Sequence, residues 1–243
     1  MNISGSGRLA AGEYSEEIKV SGSTKIDGSI KCTSFKCSGS TKSIGDIICN
    51  DEIRISGAAH IEKKVSASSV HVSGAFKCGE CAAENEIKSS GAFRCEGNIK
   101  CTKLASSGVI YAGEGIEAEE VKISGLIECT GLLNAEKIDI EISGKGLSRR
   151  IGSIGGSEIK IYTDSPIKKP GSRLSLFSRL VRSSCLEIDE SIEGDIIALE
   201  NVKAPKVIGR IVAIGAGCDI ENVQYSEDIE IHPDAKIGHY EKI

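Results

Sequence analysis

The sequence predicts an all-β fold, a parallel β-helix solenoid built from coils of about 17 residues. Two observations carry this prediction: a Ser-Gly pair returns along the chain at a nearly constant step, and apolar residues keep the same places between successive pairs. A fixed period of this length is typical of a solenoid with one coil per repeat. The serines of the pairs are Ser4, Ser21, Ser38, Ser56, Ser73, Ser90, Ser107, Ser124 and Ser143.

The spacing of the apolar residues indicates three short strands in each coil. If the serine of each pair is position 1, apolar or small residues recur at positions 4 and 6, 10 and 12, and 15 and 17. Residues two apart point to the same face of a strand, so each of these pairs predicts one strand with two inward side chains. Three strands per coil predict a triangular cross-section, and coils of about 17 residues with irregular corners favour a right-handed helix.

The inward positions can be assigned coil by coil. In the third coil, which has one extra residue, we place Ile44 and Ile48 inward; in the fifth coil we place Ala82 and Glu84 there. Late in the chain, Ile196 and Ala198 begin the final inward pairs, followed by Val212 with Ile214 and Ile229 with Ile231. We expect the corner glycines to supply unusual backbone dihedral angles.

The cysteines fit a protein of a reducing compartment. The chain has ten cysteines, and six of them replace Ile, Val or Ala at inward positions, where a free thiol packs as a small hydrophobe. Cys78 and Cys81 form a C-x-x-C with one sulfur inward and no second pair at zinc-finger spacing, so a metal or redox role is only an alternative. No signal peptide or membrane span is evident, which predicts a cytoplasmic location.

The repeat of about 17 residues is interrupted at Pro166 and Pro170 and resumes near Cys185. We therefore divide the chain into a main β-helix at residues 3–165, a basic amphipathic insertion at 166–184, and C-terminal coils at 185–243 that continue the same solenoid. Residues 145–184 contain nine Lys/Arg and only two acids. The insertion either contacts a membrane surface or a partner, or covers a flank of the solenoid. Its predicted contact residues are Arg173, Leu174, Phe177, Arg179, Leu180 and Arg182.

Outward positions 5 and 16 form two basic stripes along the coils. A basic stripe either binds an anionic polymer or lipid headgroups, or it is a solvated face that prevents lateral association of sheets. Aromatic residues make up 4% of the chain and Trp is absent, so the platforms on which nucleic-acid bases stack are missing. We therefore expect no nucleic-acid partner.

No catalytic constellation stands out, and we expect neither an enzyme nor a cofactor. No Gly-rich phosphate loop is present, since the glycines are solenoid corners. His232 and His239 lie in the last coils, near Ile-Gly steps similar to those of hexapeptide acyltransferases, in which a histidine acts as the general base. An acyltransferase therefore stays open as a minor alternative, together with a binding module that does not polymerise.

The repeat resembles that of the bactofilins, a family of polymer-forming bacterial cytoskeletal proteins. The resemblance rests on short coils with Ser-Gly corners and inward Ile, Val, Ala and Cys. The segments 201–204, 214–218, 223–225 and 241–243 are similar to those of longer bactofilin-like proteins of Firmicutes. This resemblance implies a right-handed triangular β-helix that forms filaments without nucleotide and acts as a scaffold in cell shape, envelope or motility. The chain departs from the usual bactofilin pattern in three ways. It is longer, it has only four prolines and so lacks Pro-rich tails, and it shows no N-terminal membrane-targeting peptide.

Solenoid ends indicate how such a chain could assemble. An uncapped terminal coil exposes unpaired strand edges and an open apolar core, which is a template for another subunit. We expect the main partner to be the protein itself, with the membrane surface or envelope proteins as further candidates. A peripheral position at the inner face of the membrane would follow from the basic insertion. The predicted polymer interface comprises Ile3, Leu9 and Ile18 at one end and Ile229, Ile231 and Ile237 at the other.

Overall fold

The structure, a computed structural model, describes residues 1–142, 149–163 and 185–243. All regular secondary structure in these ranges is β-strand, and the strands pair in parallel with a spacing of roughly 17 residues. The predicted all-β parallel solenoid is therefore confirmed, whereas its handedness stays a prediction. The described ranges contain no helix that could span a bilayer.

The chain divides into two compact units, Met1–Ala135 and Glu136–Ile243. The predicted boundaries, after residue 165 and before residue 185, lie in or next to residues 164–184, which are outside the described residues. That partition therefore stays a prediction. The strands of the first unit are β1 (Asn2–Ile3), β2 (Ser6–Leu9), β3 (Gly12–Glu13), β4 (Ile18–Val20), β5 (Ser23–Ile26), β6 (Ile30–Cys32), β7 (Phe35–Cys37), β8 (Ser40–Ser43), β9 (Ile47–Cys49), β10 (Glu52–Ile55), β11 (Ala58–Val72), β12 (Ala75–Ser89), β13 (Ala92–Cys95), β14 (Asn98–Lys100), β15 (Lys103–Ser106), β16 (Val109–Ala112) and β17 (Gly115–Ile123).

The early coils of the first unit contribute three short strands each, which stack in parallel on three faces, whereas β11 and β12 each run continuously round a coil. Strands β5, β6 and β7 form the second coil and pair with β8, β9 and β10 of the third. Alternate residues along the strands are buried, as in β4 and β5, because successive side chains point to opposite faces. Equivalent inward residues therefore stack into columns, and the column at position 15 is buried throughout: Ile18, Phe35, Ile53, Val70, Ile87, Leu104 and Val121.

Stacking of coils, and not unusual dihedral angles, explains the corner glycines. Among the described glycines only Gly12 and Gly217 have positive φ, so the expected conformational role of the Ser-Gly glycines is wrong. A Cβ built on Gly74 would instead overlap the carbonyl oxygen of Gly57 in the preceding coil, and the other Ser-Gly corners that stack on a coil repeat this clash. The amides of Ser73 and Gly74 both donate to the carbonyl of Ile55, at 2.8 and 3.1 Å, which holds the corner against its neighbour.

The predicted inward positions of two coils are wrong by one residue. In the third coil Ser43, Ile47 and Cys49 point inward, whereas Ile44 and Ile48 are exposed. Ile47 pairs with Ile30 seventeen residues earlier, but Ile53 pairs with Phe35, so the extra residue lies between Cys49 and Ile53. In the fifth coil the register shifts by one residue, because Val65 pairs with Cys81 and Ala67 with Ala83 sixteen residues later, and it returns to seventeen where Val70 pairs with Ile87. The buried residues there are Cys81 and Ala83, and Ala82 and Glu84 are not.

The second unit has the same parallel architecture with less regular coils. Ile197 and Leu199 pair with Val212 and Ile214 only fifteen residues later, so the predicted inward residues Ile196 and Ala198 are wrong by one place. The long strand β18 (Leu126–Ile142) contains the boundary between the units. The remaining strands are β19 (Arg149–Thr163), β20 (Leu186–Ile188), β21 (Ser191–Leu199), β22 (Val202–Ile214), β23 (Asp219–Ile231) and β24 (Lys236–Lys242).

Candidate assembly surfaces

The first coil presents free strand edges at the beginning of the first unit. Within the described residues, β1, β2 and β3 each pair with one strand only, namely β4, β5 and β6, which follow them by one turn. Their opposite edges therefore carry backbone N–H and C=O groups that no other described strand satisfies. Such an edge can pair with a strand of another chain.

The three predicted interface residues of this end differ in exposure. Leu9 is only 3% exposed and Ile18 is fully buried, whereas Ile3 is half-buried. Tyr14 occupies the first-coil place next to Cys32 of the second coil, and its hydroxyl donates to the carbonyl of Ala10 at 2.8 Å. The apolar side chains at this end are therefore largely covered, and the strand edges are its most accessible feature.

The other predicted end is more open. Ile229 and Ile231 continue two inward columns from Val212 and Ile214, and Ile237 continues a third from Ile220. Val212, Ile214 and Ile220 are buried, but Ile231 is 36% exposed and Ile229 and Ile237 are half-buried. Burial thus decreases along each column because the described strands provide no further coil above β24 and the last part of β23.

Tyr240 belongs to the same open ring and was missed in the sequence. It continues the inward column of Ile192, Val207 and Val223, yet its side chain is 53% exposed. The signal that could have identified it is the spacing of 17 residues from Val223. The irregular coils of the second unit obscure that spacing in the sequence.

The predicted contact residues of the basic insertion lie outside the described residues. These are Arg173, Leu174, Phe177, Arg179, Leu180 and Arg182, all within residues 164–184. The membrane or partner contact assigned to them therefore stays a prediction.

The basic stripe at position 16 is paired with glutamates at position 14. Lys36 lies 2.8 Å from both Glu17 and Glu52, and Lys88 lies 2.8 Å from Glu86. Lys19 and Lys36 lower the pKa of the Glu17 carboxyl group. Lys36 and Arg54 lower the pKa of Glu52, and Lys88 lowers that of Glu86. The pairs are exposed and contribute little stability one by one. They keep charged side chains on a flat sheet face, which opposes lateral association of sheets.

The histidines considered for catalysis lie in separate local pairs. Nδ1 of His232 accepts a hydrogen bond from the Asp234 amide at 3.1 Å, and Nε2 of His239 lies 3.8 Å from Glu241. Both side chains are exposed.

The C-x-x-C proves more buried than expected, with both Cys78 and Cys81 inside the core. The described residues contain no group of His, Cys, Asp and Glu arranged to hold a metal ion.

Comparison with known proteins bears on this architecture. Residues 19–114 match the family model described as Bactofilin, polymer-forming cytoskeletal. Two curated proteins of Bacillus subtilis (strain 168), the uncharacterized proteins YhbE and YhbF, are 37% identical over 107 residues and 33% identical over 115 residues. No solved structure matches the chain.

These matches cover only part of this chain and of its relatives. The alignments cover 44% and 46% of this chain and 40% and 42% of the two relatives, so the chain spans about two-fifths of the length of the curated relatives it matches. The family match begins in β4 and ends shortly after β16, within the most regular coils. The resemblance to the bactofilins is thereby confirmed for residues 19–114, which match the model of this polymer-forming cytoskeletal family.

Proposed function

We propose that this protein is a cytoskeletal scaffold that assembles end to end through its terminal coils without nucleotide. The observation that carries the proposal is the open apolar ring formed by Ile229, Ile231, Ile237 and Tyr240, whose columns are buried in every preceding coil. A second copy placed against this ring would continue the columns and satisfy the free strand edges. The family description supports polymerisation as the general activity.

The contact would be stabilised by the same interactions that hold adjacent coils together. Each added coil supplies parallel hydrogen bonds at a spacing of roughly 4.8 Å and buries the inward side chains beneath it. No nucleotide is needed for such a contact, because its free energy comes from burial and strand pairing. We place the scaffold in the cytoplasm, in a role linked to cell shape, the envelope or motility, with the membrane surface and envelope proteins as candidate partners.

The test compares two charged substitutions of exposed isoleucines in the second unit. Ile231→Asp places a carboxylate in the open ring, whereas Ile196→Asp places one on the flank, in an outward column that already contains Asp228. We expect Ile231→Asp to give monomers or short oligomers, and Ile196→Asp to form filaments like the natural chain. Negative-stain microscopy and light scattering without added nucleotide measure both, and circular dichroism confirms that the β content is intact.

The choice of residue matters at the other end. A charge at Leu9 would be buried and would therefore disturb folding as well as assembly. Ile3→Asp is the cleaner substitution, because Ile3 is half-buried on the free edge of β1.

Filaments that persist in both the Ile3→Asp and the Ile231→Asp variants would place the interface elsewhere. A monodisperse natural chain would favour the non-polymerising binding module.

The acyltransferase alternative makes a different prediction. A compact trimer with acyl-transfer activity that depends on His232 or His239 would support it. We propose instead that the protein is not an enzyme, since each histidine lies beside a carboxylate of its own strand or turn and both are exposed to solvent.

A further inference from the structure

A groove follows the Ser-Gly corner of the first unit. Between Arg54 and Ser124 it encloses about 440 Å³, and a smaller stretch of about 190 Å³ continues from Arg54 to Lys19. The groove exists because the corner residues are small, so that the basic side chains of position 16 stand above them as a wall. It runs across the coils, along the direction in which they stack.

The wall is a column of mostly basic side chains in continuous register. Lys19 pairs with Lys36, which pairs with Arg54, and the column continues through His71, Lys88 and Ala105. It ends at Lys122, which pairs with Ala105. No acidic or aromatic side chain is among the residues that line the groove in the described part of this unit. The groove is therefore positive, although the whole chain has a net charge of -5.

The other side of the groove is formed by the corner serines. Ser73, Ser90 and Ser107 line it in successive coils, and their side chains are exposed. Ser89 and Ser106 also border the groove, but their hydroxyls lie in the inward column that Val72 and Ile123 continue, and so belong to the core.

The basic wall has one gap. Ala105 interrupts it, and Lys88 and Lys122 flank the gap on either side. The arrangement is a recess between two ammonium groups, with the corner serines Ser90 and Ser107 on the opposite side of the groove. Ammonium and hydroxyl groups are the donors that phosphoryl oxygens accept from.

We propose that this groove binds an extended linear polyanion that carries phosphate groups. Such a chain would lie along the stacking direction and meet one cationic or hydroxyl group in each coil, at steps of roughly 4.8 Å. Lys88 and Lys122 would hold phosphoryl oxygens, and the corner serines Ser90 and Ser107 would donate hydrogen bonds from the opposite side. A flat bilayer surface could not reach the floor of the groove. A nucleic acid is a poorer ligand, because the groove offers no Phe, Tyr or Trp side chain on which its bases could stack.

The ion pairs of the wall are compatible with this ligand. Lys88 contacts Glu86 at 2.8 Å and Arg54 contacts Glu52 at 2.9 Å, but these glutamates lie outside the groove and the pairs are exposed. Exposed pairs are held weakly, so a polyanion can exchange for the carboxylates. Binding should weaken as the salt concentration rises, because the contacts are ionic.

The test measures binding of a fluorescently labelled, medium-chain inorganic polyphosphate to the full chain by anisotropy. We expect the double variant Lys88→Gln/Lys122→Gln to bind at least about tenfold more weakly, through the loss of two charge-assisted contacts. The matched control is Lys25→Gln/Lys42→Gln, which removes the same charge from the position 5 column of the same unit. The control should bind as the natural chain does. Equal weakening of both doubles, or no binding by the natural chain, would overturn the proposal.

A second variant separates the ligand site from the fold. Ser90→Ala/Ser107→Ala removes two exposed corner hydroxyls, so its melting temperature should be close to that of the natural chain. It should nevertheless bind polyphosphate several-fold more weakly, because two donors to phosphoryl oxygens are lost. Unchanged binding would remove the corner serines from the site. Binding to phosphatidylglycerol vesicles but not to polyphosphate would assign the groove to a lipid surface instead.

Discussion

Residue identity at the Ser-Gly corners is set by the neighbouring coil. The glycines have ordinary φ values, but the carbonyl of the preceding corner lies where a Cβ would be. The inward columns follow the same logic, since each side chain packs on its equivalents above and below. Cys32 and Cys49, for example, stack with their sulfurs 3.4 Å apart.

The corner glycines can be tested with one matched pair of variants. Gly74→Ala should lower the free energy of unfolding by about 3 kcal/mol, because its methyl group would overlap the Gly57 carbonyl. Gly5→Ala should change it by less than about 0.5 kcal/mol, since a Cβ at Gly5 meets nothing within 4 Å. Urea titration followed by circular dichroism measures both. Similar effects of the two substitutions would indicate that the glycines are required for another reason.

Thiol reactivity should follow burial. Cys185 is half-buried, whereas the other nine cysteines are buried. Burial raises the pKa of Cys101 to about 12 and those of Cys129 and Cys218 to about 11, so these thiols are protonated at neutral pH. Iodoacetamide should therefore label Cys185 first, and the others only after unfolding. Mass spectrometry of the native chain checks this; early labelling of Cys101 would contradict the core position assigned to it.

The strands are short and tolerate coils of different length. The third coil gains a residue after β9, and the fifth coil loses one between Cys78 and Cys81, yet the flanking strands keep their parallel register. Both irregularities lie between pairs of inward residues, where an added or missing residue does not disturb a column. A change inside such a pair would instead move an inward side chain to the outer face.

The corrected register of the third coil predicts opposite results for adjacent isoleucines. Ile47→Ala should cost roughly 3 kcal/mol of stability, because it leaves a cavity in the core. Ile48→Ala should change stability by less than about 0.5 kcal/mol, since this side chain is exposed. Denaturant midpoints of the two variants decide the matter. A larger effect at Ile48 would restore the register expected from the sequence.

Across the first unit, the outer faces are covered by ladders of ion pairs rather than by apolar residues. Arg94 and Lys77 both contact Glu96, at 2.8 and 2.7 Å, and hold the pKa of its carboxyl at about 2. Glu17, Glu52 and Glu86 also have lowered pKa values because of their lysine and arginine neighbours. The strands of this unit therefore direct mainly apolar side chains inward and charged side chains outward.

These lowered pKa values predict loss of stability in acid. A carboxyl group whose pKa is lower in the folded state stabilises it above the unfolded pKa, and this contribution disappears as the pH falls through the folded pKa. We expect the denaturant midpoint to decrease between about pH 5 and pH 2. Glu96→Gln should lower stability at neutral pH by less than about 1 kcal/mol, because the pair is exposed, and should match the natural chain near pH 2. A constant difference at all pH values would contradict this origin.

The sequence by itself determined the all-β solenoid, its period, the buried column at position 15, the free cysteines and the resemblance to bactofilins. These conclusions follow from the repeat, because Ile, Val and Leu recurring at one position can be recognised before the strand pairing is known. Only the tertiary structure decided where coils gain or lose a residue, as at Ile47 and Cys81, because neighbouring apolar residues offer two registers that only strand pairing distinguishes. It also decided that Leu9 is covered while Tyr240 is open, because exposure depends on the coil above, which a repeat pattern does not describe.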